Sequence, residues 1–465
     1  MKKINLFILF FPLLISAQIE LSNIFSDGMV LQRNSNINIW GKSNSNESIK
    51  INVSWNSRVY KTKSDKKGNW IIKIPTNNSR ETHNITIKTK TDSIEINDVL
   101  LGEVWFASGQ SNMQMNFKGY SNEPIKNAQY LINKSNNSNI RLLSIPRLAS
   151  KIPLENFDSK WEISNKTSVL NFSVVAYSFA IYINETLNVP VGIIHTSWGG
   201  TPAEAWTEKS FLENNFEKDE IKNHAQNKWE AHEPSFLYNG MINPLINYTV
   251  KGSLWYQGES NVPRAKNYAK LMKVMVESWR SNWNQNIFPF YYVQIAPFKY
   301  DGPENVNSAL LRESQLNAMS LIENSGMVVT SDLGDLNSIH PSNKIEIGQR
   351  LAYWALNKTY GFDEIIPSGP IPIETKIDGS KVEITFDYAK NGFFNYNGNL
   401  RDFDIAGDDN KFYPAVIKSI NNKLIISSPN VKIPKMVRYG WKNYFESSLF
   451  NLEGLPASSF FIRKL

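Results

Sequence analysis

Between about residue 100 and residue 361 the chain repeats one arrangement that restricts its fold more than any other feature. Apolar strand-like runs stop in knots of small and polar residues, and amphipathic stretches of helical period separate them. The strand candidates are 102–108, 190–196, 252–257, 290–296 and 327–331. The helix candidates are 124–133, 173–188, 266–283, 309–322 and 344–358. Strands alternating with helices at this spacing predict a mostly parallel sheet covered on both faces. Such sheets bind ligands at the carboxyl ends of their strands, where the polar knots lie.

The flanks have a different rhythm. Residues 18–98 read as a small antiparallel β domain: Ile51, Val53 and Trp55 alternate with polar residues, as do Ile85 and Ile87, and turn-rich stretches separate such runs. The α/β core is expected over 99–362. The β pattern then returns over 363–465, where Val382, Ile384 and Phe386 alternate and runs at 417–420 and 424–426 follow. Residues 1–17 carry Lys2 and Lys3, an apolar run from Ile4 to Ile15 and a small residue, Ala17. This is the pattern of an export signal cut near Ala17–Gln18, and the run is shorter than the ~20 residues of a membrane span. The expected location is periplasmic or extracellular, with no membrane attachment after cleavage.

Composition narrows the chemistry. Of 465 residues none is cysteine, which excludes disulfides, thiol nucleophiles and Cys-ligated metal. A net charge of +7 without a basic block gives no reason to expect a nucleic-acid partner. Imidazole chemistry has only His83, His195, His224, His232 and His340 to draw on. His195, inside an apolar run, reads as a core histidine; His83, His224 and His232 read as surface residues. His232-Glu233 lacks the second histidine of a His-Glu-x-x-His site, so no metal or other cofactor is expected. The sequence leaves the oligomeric state open.

Four strand ends carry candidate chemistry. The run ending Gly109-Gln110-Ser111-Asn112 puts a serine on a tight turn, suited to a nucleophile with backbone donors beside it, or to a polar turn with a capping residue. Trp198-Gly199-Gly200-Thr201-Pro202 lets the backbone approach a ligand, with Gly200 a candidate oxyanion donor. Gln257-Gly258-Glu259 offers an amide for an oxyanion and a carboxylate that orients a partner or binds substrate. The last run leads through Asp332 and Asp335 to His340, which can take a serine proton while an aspartate holds its tautomer.

Together, Gly109–Asn112, Trp198–Pro202, Trp255-Tyr-Gln-Gly-Glu-Ser260 and Ile339-His-Pro341 resemble the sialate O-acetylesterases of the SGNH hydrolase class, which are related to acetylxylan esterases. Phe25–Arg33 and Asn451–Pro456 resemble that family's flanking regions, so the likeness spans nearly the whole chain. It implies a flavodoxin-like three-layer α/β/α core with β regions on either side. It also implies acyl-enzyme chemistry that removes O-acetyl groups from sialic acids. In that reading Ser111 is the nucleophile, His340 the base, and the oxyanion hole uses the Ser111 and Gly200 amides and the Gln257 side chain. Gln110, Asn112 and Glu259 would contact substrate. Many members of the class place the acid three residues before the histidine, where this chain has Asn337. The third member is then Asp335, another acid, or a backbone carbonyl serving a dyad. Acetylxylan or another acetylated polysaccharide is the alternative substrate, and a non-catalytic carbohydrate-binding protein the alternative class.

Overall fold

The computed structural model describes residues 18–222, 229–285 and 287–464. Strands Asn137–Ser144, Val191–Ser197, Ser93–Gly109, Gly252–Tyr256, Phe290–Val293 and Ser325–Val328 lie side by side in that order, each pair parallel. The short strand Glu162–Ser164 closes one edge antiparallel.

Both faces of this sheet are apolar, as a parallel sheet requires. On one side Phe106, Trp255, Phe290 and Tyr292 pack with helices Ala265–Trp283 and Asn307–Leu321. On the other, Trp105, Ala107, Leu254, Tyr256 and Tyr291 pack with helices Val174–Leu187 and Lys344–Trp354. Each such side chain contributes roughly 1.5–3 kcal/mol through burial. Local sequence sets the helix ends: the Ser173 hydroxyl accepts from the Ala176 amide, and Asn188 and Asn284 stop their helices in the left-handed conformation.

The first β region is not set apart from the core. Strand Ser93–Gly109 begins antiparallel to His83–Lys88, continues parallel to Val30–Gln32 and ends in the central sheet, crossing the boundary expected at residue 98. One apolar cluster runs from Ile37, Ile51 and Trp70 to Phe106 and Trp279. After residue 370 the chain forms two four-stranded sheets and a two-stranded one around Phe386, Phe403, Tyr439 and Phe460. Buried Arg312 ties that region to the core, donating to the carbonyls of Gly440, Lys442 and Asn443 and to the Ser459 hydroxyl. None of the described helices is long and apolar enough to cross a membrane.

Candidate active site

The serine turn is pinned between two neighbouring strands. Gly109 sits opposite Tyr256, and a Cβ there would lie 2.1 Å from the Tyr256 carbonyl oxygen; its φ of +143° also favours glycine. The Gln110 amide donates to Tyr256 O (3.0 Å) and the Trp198 amide to Gly109 O (3.0 Å). Gly199 brings its backbone against Ser111, where a Cβ would meet the serine Cβ at 3.1 Å.

Ser111 Oγ lies 2.9 Å from Nε2 of His340. The other ring nitrogen, Nδ1, lies 2.7 Å from Oε2 of Glu123, a residue that the sequence reading did not single out. Glu123 closes a tight turn in which its backbone and that of Tyr120 exchange both hydrogen bonds, with Asn122 left-handed between them. Its second oxygen accepts from the Ser338 hydroxyl at 2.8 Å, and that hydroxyl in turn accepts from the His340 amide at 3.0 Å. The Tyr120 ring packs edge-on against His340 at 5.0 Å, and its hydroxyl donates to Ser111 O.

Asp335 is corrected from its expected place. Its carboxylate is exposed and accepts from the amides of Asn337 (2.7 Å) and Ser338 (3.1 Å), so it shapes the turn before His340 instead of touching the ring. Asp332 forms a two-pronged pair with Arg350 at 2.8 and 2.6 Å.

Gln257 is corrected too. It is fully buried, and its amide NH2 donates to Thr201 O (3.1 Å) and Asn261 Oδ1 (2.7 Å), so its donors are engaged internally. Gln110 and Asn112 do not line an open mouth either. The Gln110 side-chain oxygen accepts from the Gly258 and Ser260 amides, joining the first and third strand ends. Buried Asn112 donates to Glu259 Oε1 (2.6 Å) and to the carbonyl of Ile339 (3.1 Å), and accepts from Lys344 Nζ at 2.6 Å. One amide therefore clamps the residue after the serine to the residue before the histidine. Glu259 serves that clamp, and its other oxygen is buried without a hydrogen-bond partner among the described residues.

Gly200 has a φ of +76°, and its carbonyl accepts from His232 Nε2 at 2.6 Å. The neighbouring Gly199 amide is engaged by Gln114 Oε1 at 2.6 Å, whereas the Gly200 amide has no acceptor among the described residues. His232, expected at the surface, thus braces the glycine turn and packs on Trp229 at 4.9 Å. His83, expected at the surface as well, is buried, with Nδ1 on the Ser54 hydroxyl at 3.1 Å. His195 is a core residue satisfied by Ser197 Oγ at 2.5 Å, and burial pushes its pKa down to about 4. His224 lies outside the described residues.

Burial lowers the His340 pKa below the usual imidazole range, Glu123 opposes this, and the Lys344 charge adds to it. Burial brings Lys344 itself down to about 7, against the pull of Glu259 and Glu123. Burial also raises Glu259 above the ordinary carboxylate range. The histidine is therefore neutral near pH 7 and able to accept a proton. A hydroxyl on one imidazole nitrogen and a carboxylate on the other is an arrangement that can draw a proton from the hydroxyl. Among the described residues no group of three or more histidines and carboxylates could hold a metal ion.

Comparison with known proteins finds carbohydrate esterases as relatives. A solved carbohydrate acetylesterase from Xanthomonas citri superposes with a TM-score of 0.87 at 30% identity, covering 96% of this chain and 99% of that one. Sialate O-acetylesterase of Mus musculus is 27% identical over 414 residues, 77% of this chain and 76% of the mouse protein. The Rattus norvegicus enzyme is 26% identical over 440 residues, 81% of this chain and 80% of its own. These relatives are carboxylic ester hydrolases, and so is this protein. Residues 101–357 match the model of the family described as carbohydrate esterase, sialic acid-specific acetylesterase, and the chain belongs to that family.

Proposed function

We propose that the protein removes O-acetyl groups from sialic acids through a serine acyl-enzyme, on an SGNH-type core. The observation that carries this reading is the Ser111–His340–Glu123 chain at 2.9 and 2.7 Å. Ser111 Oγ attacks the acetyl carbonyl while His340 Nε2 takes its proton. Glu123 holds the Nδ1 proton and stabilises the imidazolium that forms. The Ser111 and Gly200 amides face the developing oxyanion. His340 then returns the proton to the departing sugar oxygen, leaving acetyl on Ser111. Water attacks that ester with His340 again as base, releasing acetate and restoring the serine. The Asn112 clamp fixes the serine turn relative to the histidine loop, which keeps their separation within reacting range.

The basic start and apolar run of residues 1–17 support export, so the acetylated sugar would be met outside the cytoplasm. N-terminal sequencing of the secreted protein should then begin at Gln18. The substrate assignment rests on the family and on the names of the mammalian relatives; the bacterial neighbour is named only for carbohydrate acetyl esters. Acetate release should therefore be measured from O-acetylated N-acetylneuraminic acid and from acetylated xylan side by side, with Ser111→Ala as control. Serine-dependent release from the sialic acid is expected. Release from xylan alone would keep the chemistry and overturn the substrate.

A further inference from the structure

We infer that Arg147 is the subsite for the carboxylate of an acidic sugar, an inference that rests on the proposed sialate reading. Arg147 follows strand Asn137–Ser144, whose carboxyl end is on the same sheet edge as those that carry Ser111 and Gly200. It is exposed, and among the described residues it has neither a carboxylate partner nor a hydrogen-bond acceptor. Its guanidinium carbon sits 5.8 Å from the centre of the Trp198 ring, the residue that leads into Gly199-Gly200. Its charge also acts on the hydroxyl of Tyr120, which donates to the Ser111 carbonyl and whose ring abuts His340. Arg147 is therefore joined to the serine turn through Trp198 and acts on Tyr120 from the same sheet edge.

The loop that carries it is held at both ends. The Ile145 amide donates to His195 O (2.8 Å), the Ser150 amide to Phe236 O (3.0 Å), and the Asn239 side chain to Ser150 O (3.1 Å). A planar guanidinium backed by an indole on an anchored loop presents a preset fork, and a carboxylate matches that fork with two parallel hydrogen bonds. Lys344, also close to the site, is buried and committed to Asn112, Arg264 is paired with Glu204, and Lys299 donates to Asn337 Oδ1. A neutral acetylated sugar offers Arg147 nothing comparable, so the contact sorts substrates by charge.

The test compares O-acetylated N-acetylneuraminic acid with its C1 methyl ester, which keeps the acetyl group and removes the charge. The readout is the ratio of kcat/KM for acid over ester within each variant, so a general loss of activity cancels. The wild type should favour the acid by on the order of 10- to 100-fold, mainly through KM. Arg147→Gln should bring the ratio to about one, and Arg147→Lys should keep part of it. A wild-type ratio near one, or a ratio unchanged in Arg147→Gln, would overturn the subsite. If neither sialate ester is turned over while an aryl acetate is, the substrate reading fails separately. Competitive inhibition of aryl acetate turnover by free N-acetylneuraminic acid then decides: inhibition that weakens tenfold or more in Arg147→Gln upholds the subsite, and its absence in the wild type removes it.

Discussion

Glu123 and His340 show how a residue's neighbours determine its chemistry. The histidine must be unprotonated to take the serine proton, and burial with the nearby Lys344 charge keeps its pKa below the usual imidazole value of about 6.5. Activity should therefore be complete near pH 7 and fall only as the pH drops through that lowered value. Lys344→Met removes a charge that opposes the imidazolium, so the acid limb of kcat/KM should move to higher pH. A limb that stayed put or moved lower would contradict this placement of Lys344. Ser111 and His340 were legible because a serine and a histidine each followed a strand end of one sheet. Glu123 was not, since it lies in a connecting turn, Tyr120-Ser121-Asn122-Glu123, far from either residue in sequence. Its signal was weak: an asparagine suited to a left-handed turn, with a carboxylate just before Pro124. The amides of Gln257 and Asn112 misled for a related reason. Sequence shows that an amide is available at a strand end, and only packing shows that Thr201, Asn261, Glu259 and Lys344 already use it.

At the scale of elements, the loop between strand Ser325–Val328 and helix Lys344–Trp354 must deliver His340 accurately. Arg350 on that helix anchors the loop, donating to Val329 O and to both oxygens of Asp332. With its side chain only 4% exposed, Arg350 is held by Asp332 and by the more exposed Glu346 on its own helix. Asp332→Ala should destabilise the fold by roughly 3 kcal/mol in chemical denaturation, the scale of leaving a buried cation short of a partner. Asp335→Ala, at an exposed turn, should cost less than about 1 kcal/mol; equal losses would contradict the assignment. The long apolar or strongly periodic elements were visible in sequence, among them Val191–Ser197 and Ala265–Trp283. Strand Asn137–Ser144 was missed because its first half is polar and exposed and only Ile140–Leu143 is buried, too short a run to separate from loop. Phe403–Ala406 and Met436–Tyr439 were missed because they are short runs among turns, and they pair with each other across some thirty residues.

For the whole molecule, the parts expected from rhythm are joined more closely than rhythm can reveal. A strand that changes partners from Lys88 to Val191 along its length has no sequence marker at the change, since apolar residues suit both settings. Arg312 on helix Asn307–Leu321 is likewise the buried tie to the C-terminal sheets. The β regions thus brace the sheet whose carboxyl edge gathers Ser111, Gly200, Arg147 and His340.

In the proposed chemistry Ser111 acts through His340 under the control of Glu123. Its most direct test is the rate at which a fluorophosphonate modifies the protein, with the adduct located by peptide mass spectrometry, in the wild type, Ser111→Ala, Glu123→Gln and Asp335→Asn. An adduct on Ser111 is expected, absent in Ser111→Ala. Labelling should slow by roughly 10³-fold or more in Glu123→Gln, the scale of losing the triad carboxylate, and by less than about tenfold in Asp335→Asn, whose carboxylate does not touch the ring. An adduct on another residue, or a large loss in Asp335→Asn with none in Glu123→Gln, would contradict it.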